Sequence, residues 1–186
     1  MRIGVIPDFD SEIDLVRLKE AILYVSRLGE GDPMFGAIKL NKVLFYADFQ
    51  AHREAGESIT GATYQHLSEG PAPKELLAAM EELQHEGRIR SEEKPYYNRT
   101  QKRPVTQADP DVNIFTPSQL EMLDRAFESL LFLNARQVSD LSHQEWGWRL
   151  TVPGEAIPYR TCWLSPDPLT QEQVRGAVVQ WRETCG

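Results

Sequence analysis

The chain is poor in cysteine: Cys162 and Cys185 are the only two among 186 residues. Two thiols cannot build a disulfide framework, and their separation of 23 residues fits no standard metal-ligand spacing. Long apolar runs are missing as well. None approaches the roughly 20 residues that cross a bilayer. Acidic residues interrupt the opening MRIGVIPDFD, where an export signal needs an unbroken apolar stretch. These absences predict a cytoplasmic protein with reduced thiols and no membrane partner. Positive charge is scarce too. Twenty lysines and arginines stand against 28 aspartates and glutamates, a net charge of -8. Such a chain is repelled by phosphate backbones unless its basic residues gather on one face.

Catalytic patterns are equally lacking. There is no GxSxG elbow, no HExxH, no GxxxxGK[ST] and no GxGxxG after a strand. The four histidines, His52, His66, His85 and His143, fall on separate elements, and Glu81, Glu82 and Glu86 read as the solvated face of one helix. A hydrolase built from dispersed residues would need a pocket joining His143, Glu145 and a nucleophile. The expectation is a protein that is not an enzyme, with no catalytic residues, no cofactor and no bound metal.

What is present suits one helical core. The apolar fraction is 41% with 9% aromatics, enough for a sizeable interior in a single domain. Spacing by threes and fours predicts a helix over 11–28 with Leu15, Leu18, Ile22 and Val25 inward, closed by Gly29. A second helix is predicted over 37–55, apolar around much of its girth and so central, stopped by Gly56. An extended segment over 60–66 leads to the turn Gly70-Pro71-Ala72-Pro73. Pro73 is expected in the first turn of a third helix that buries Leu76, Leu77, Met80 and Leu83 and closes at Gly87. Residues 88–90 read as a short strand, and the polar, proline-spaced stretch 91–112 as a hairpin or exposed arm. Thr116-Pro117-Ser118-Gln119 forms a capping box for a helix to about residue 134, with Leu120, Leu123, Phe127, Leu130 and Leu131 inward. A short helix follows over 136–144. Thr170 and Gln173 announce a last helix ending near Trp181. The fold class is mainly α, of the α+β kind: a compact helical domain with a small β-hairpin or wing-like element.

One segment reverses the charge. Arg88, Arg90, Lys94, Arg99, Lys102 and Arg103 face only Glu92 and Glu93, a local +4 that leaves -12 elsewhere. A helix followed by a basic hairpin is how a winged helix ends, so these six residues are candidate contacts for nucleic acid or an acidic partner. Against this, the stretch between the second and third helices is far longer than the three or four residues of a helix-turn-helix.

Three stretches carry a family pattern. The first is Lys39-Leu40-Asn41-Lys42-Val43-Leu44-Phe45-Tyr46-Ala47-Asp48-Phe49. The second is Ser58 to Tyr64 followed by Gly70-Pro71-Ala72-Pro73. The third is Leu141-Ser142-His143 with Trp146 and then Gly154 to Ile157. Together they resemble the Panacea domain, the SocA-like antitoxin domain also seen in phage-associated proteins. On that resemblance residues 1–164 are the domain and 165–186 a helical tail packed on it. Ala72 departs from the valine common in that turn. The resemblance implies an antitoxin that neutralises a toxin encoded by an adjacent gene through protein–protein binding. The toxins paired with this one domain are of unrelated kinds, and one branch serves as an adaptor delivering its toxin to a bacterial protease. DNA binding is the lesser alternative.

On the second helix, Lys42 and Asp48 mark edges of an apolar strip with Phe45 and Phe49, and Trp148 adds an aromatic. These five are the candidate partner-binding residues. The alternative is that Lys42 and Asp48 are structural and tie the helix to the Gly70-Pro71 turn. Lys39, Asn41, Tyr46, Gly61, Tyr64, Gly70, Pro71, Pro73, His143 and Trp146 are read as structural residues of the motif.

Overall fold

The computed structural model describes residues 12–96 and 99–164. Helix α1 spans Leu15–Leu28, and the Asp14 side chain caps it by accepting from the Arg17 N–H at 3.0 Å. A 3-10 turn, Gly29–Gly31, leads into α2, Ala37–Ala55, which ends on Gly56 in the left-handed conformation. The short strands β1, Tyr64–Gln65, and β2, Ala72–Pro73, pair antiparallel, and Gln65 also bridges to Ala156. Helix α3 is Leu76–His85. Strands β3, Ile89–Tyr96, and β4, Arg99–Thr106, form an antiparallel hairpin with Ile89 opposite Thr106. Helices α4, Pro117–Leu130, α5, Ala135–Ser142, and α6, Trp146–Arg149, follow, and a 3-10 turn over Tyr159–Trp163 closes the described chain.

The mainly α class with small β elements holds. Helix α2 is the centre: α1, α4, α5, β2 and the closing 3-10 turn all pack on it. Its buried side chains run around its circumference, from Leu40, Val43 and Leu44 to Phe45, Ala47 and Phe49. Helix α4 carries the expected capping box, in which Thr116 Oγ1 accepts from the Gln119 N–H and Gln119 accepts from the Thr116 N–H. Asn134 and Gln137 build a second such box at α5.

Several expectations need correction. Leu15 is 47% exposed and Leu77 is 75% exposed; on α3 the inward place goes to Ala79. Pro73 lies not in a helix but in β2, opposite Tyr64. The extended stretch 60–66 contributes only Tyr64–Gln65 as strand. The last helix expected between Thr170 and Trp181, and the packing of the tail, lie outside the described residues.

Candidate partner interface

Helix α2 holds three charged side chains inside the protein, and each bonds a different part of the chain. The Lys39 ammonium donates to Asp32 Oδ2 at 2.6 Å and to the Leu131 carbonyl at 3.2 Å. One turn on, the Lys42 ammonium donates to the Pro71 carbonyl at 2.9 Å. Asp48 takes four donors. The N–H groups of Ile59 and Thr60 reach Oδ1 at 2.8 and 2.9 Å, and the hydroxyls of Thr60 and Tyr64 reach Oδ2 at 2.5 and 2.8 Å. Burial pulls the Lys42 ammonium down to about 7, against the opposing field of Glu69. Burial also pushes the Asp48 carboxyl up, while its four donors favour the ionised form.

This geometry corrects the partner-binding strip. Lys42 and Asp48 are each 1% exposed, and Phe45 and Phe49 are buried. Phe45 packs against Phe49, Tyr46 and Tyr64, and Phe49 against Tyr159. The strip faces the domain's own loops because β1, β2 and the closing 3-10 turn cover that side of α2. The structural alternative is the one observed: Lys42 ties α2 to the Gly70-Pro71 turn. Gly70 has φ +91°, and a Cβ there would run into Ser142 Oγ and stand 2.9 Å from Lys42 Cε. Gly61, at φ +68°, lies against the backbone of Glu12 in the same way.

The closing segment is held by aromatic stacking. The Trp148 ring lies between the imidazoles of His66 and His143, each at 4.1 Å between centroids and 23° between planes. Its Nε1–H donates to the Leu67 carbonyl at 3.2 Å. Trp148, expected as an anchor for a partner, therefore spends both faces within the protein. Trp146 is half-buried, with the Arg149 guanidinium 4.5 Å from its ring centroid. Asn41 is half-buried, and Tyr64 is buried with its hydroxyl on Asp48.

The basic arm is the observed hairpin, but its arginines are not equally available. Arg103 is buried, donating to the carbonyls of Asp32, Gly29 and Glu30 at 2.7, 2.7 and 2.8 Å, where it caps the exit of α1. Arg88 grips Glu20 with two bonds at 2.7 and 2.9 Å. Both are thus withdrawn from the expected external contact. Arg90 pairs with Glu92 at 2.5 Å, and Lys102 is exposed. Lys94 and Arg99 belong to the hairpin by their backbone pairing. Between α2 and α3 lies the β1–β2 pair in place of a tight helix-turn-helix connection.

Two of the clefts among the described residues bear on the site. One, about 310 Å³, lies between the start of α2, β4 and the start of α5, with Met34, Ile38 and Ala135 among its walls. The other, about 360 Å³, lies between α2, α4 and the closing segment, where Tyr46, Phe49, Arg53, Arg125, Glu145 and Cys162 meet. Burial pushes the Glu145 carboxyl up, although Tyr46 and Arg53 pull it down. Burial likewise raises the Tyr46 hydroxyl, helped by the charge of Glu145. The Cys162 thiol is pushed up to about 11 by burial, which keeps it protonated, the opposite of an activated nucleophile. His143 stays stacked on Trp148 rather than joining Glu145 and Cys162. Sequence reasoning named Glu145 only for that hydrolase pocket; the sole local signal is its place just before Trp146. Among the described residues no group of three or more histidine, cysteine, aspartate or glutamate side chains is placed to hold a metal ion. Nor is any helix among them long and apolar enough to cross a membrane.

The family model described as "Antitoxin SocA-like, Panacea domain" matches residues 40–149, from the first turn of α2 to the end of α6. No curated protein and no solved structure matches the chain.

Proposed function

The chain belongs to the SocA-like antitoxin family with the Panacea domain, and from that premise we propose that it neutralises a toxin by direct protein–protein binding, with no bond made or broken. The family match carries this reading. The physical arrangement is consistent with it, since the charged residues of the motif are consumed in holding α2 to its loops. Partner recognition then falls to side chains outside that inner set. Phe132 is 84% exposed, and Leu150, Val152 and Trp163 are also open on the surface. Exposed apolar side chains of this size are what protein interfaces use as anchors.

The test is co-expression with the product of the adjacent gene. That product alone should arrest growth, and this chain should restore growth and co-purify with it. A neighbour that is harmless alone and does not co-purify would sink the reading. Delivery of the bound toxin to a bacterial protease is a further step that the same complex would permit. A toxin half-life that shortens when this chain is present reports it, and an unchanged half-life leaves neutralisation by occupancy.

A further inference from the structure

Resting on the toxin-binding reading, we propose that the cleft between α2, α4 and the closing segment receives one cationic side chain of the toxin, an arginine or lysine, with Glu145 as its counter-charge. Glu145 sits at the head of α6 and lines the cleft, half-buried. Among the described residues no cation comes within 4.0 Å of its carboxylate, although the other acid in the lining is provided for. Glu54 pairs with Arg125 at 3.4 Å and accepts from the Gln50 amide at 2.8 Å. A carboxylate half withdrawn from water without a bonded counter-charge is a standing cost that an incoming cation relieves.

The Tyr46 hydroxyl supplies the second observation. It is buried, faces Glu145 and, apart from that carboxylate, meets no polar partner among the described residues. It can accept one N–H of a guanidinium or ammonium that reaches the carboxylate. The wall beside it is aromatic, formed by Phe45, Tyr46 and Phe49, and a ring face attracts a cation. Elsewhere this fold already shows that contact, in Arg149 over Trp146. Arg53 is exposed on the rim of the same cleft. It acts on Glu145 through its field and not through a bond, so an entering cation displaces no ion pair. The net charge of -8 steers a basic partner toward the surface at large.

The test uses the full chain and the product of the adjacent gene, with binding read by calorimetry and folding by thermal melt. Glu145→Gln should weaken binding by about tenfold or more while the melting temperature stays level or rises. Tyr46→Phe should weaken binding less, and Arg53→Gln should leave it unchanged or tighten it. Binding of Glu145→Gln within about twofold of the wild type overturns the proposal. A melting temperature that falls together with binding in Glu145→Gln overturns it too, because Glu145 would then be holding the fold. If the wild-type chain itself does not bind, the toxin-binding reading fails first, and the cleft assignment falls with it.

Discussion

The Lys42 ammonium and the Pro71 carbonyl are 2.9 Å apart in a place where water does not reach. Twenty-nine residues separate the two in sequence, and the bond fixes the turn that precedes α3. Gly70 makes the approach possible by having no side chain there.

That bond gives the protein a pH signature. The Lys42 pKa is about 7 when folded and 10.5 in an unperturbed lysine. Between those values the unfolded chain holds a proton that the folded chain does not, so folding gains as pH rises. The slope is about 1.4 kcal/mol per pH unit at most. Above about 10 the tyrosines Tyr46, Tyr64 and Tyr159, all raised by burial, reverse the trend because only the unfolded chain ionises them. Chemical denaturation from pH 7 to 10 should show the wild type gaining on Lys42→Met. A constant difference between the two would disprove the link.

Gly70→Ala should be among the most damaging single-methyl changes in the chain. It combines a positive φ with a collision against Ser142 Oγ and Lys42. The strained backbone alone costs about 1–3 kcal/mol. Urea unfolding should report a loss of at least that size.

Asp48→Asn keeps the shape and breaks the chemistry. All four groups donate to the carboxylate, so an amide NH2 in place of one oxygen either faces a backbone N–H or makes the Thr60 and Tyr64 hydroxyls accept and turn their own protons away from it. Each donor left unsatisfied costs about 1–3 kcal/mol. A melting temperature indistinguishable from the wild type would contradict the geometry.

Arg103 and Lys102 are neighbours with opposite expected outcomes. Arg103→Ala removes the guanidinium donor from the carbonyls of Gly29, Glu30 and Asp32 and should lower the melting temperature clearly, while Lys102→Ala should leave it in place. Arg103→Lys should not restore it, since an ammonium cannot spread its bonds as the planar guanidinium does. Equal behaviour of the two alanine variants would return Arg103 to the list of free surface cations.

Periodicity and punctuation were enough to read α2 in full, and the Thr116 capping box announced α4. Both signals are local: apolar spacing, a glycine stop, a side chain reaching its own helix terminus. Leu77 was misplaced because α3 is only ten residues long, and burying small Ala79 turns the larger leucine outward. Pro73 was misplaced because a strand and a first helical turn both tolerate proline, and only the distant Tyr64 decides between them. The interior charges were half legible: the motif marks Lys39 as structural and leaves Lys42 and Asp48 open between a partner contact and a tie to the Gly70-Pro71 turn, which only distant residues decide. By charge alone Lys39, Lys42 and Asp48 look like surface residues until the chain brings Asp32, Pro71 and Thr60 to them. Glu145 has no pattern to betray it, since its cleft is assembled from α2, α4 and the closing segment.

Helix α2 works as a keel to which separate planks are pegged, each by its own polar joint. Repainting the hull, by exchanging exposed positions such as Phe132, Leu77 or Leu150, leaves those joints alone. A library randomised at such positions should therefore keep one fold while presenting many different outer faces, raw material for selecting binders to toxins that share no shape with one another.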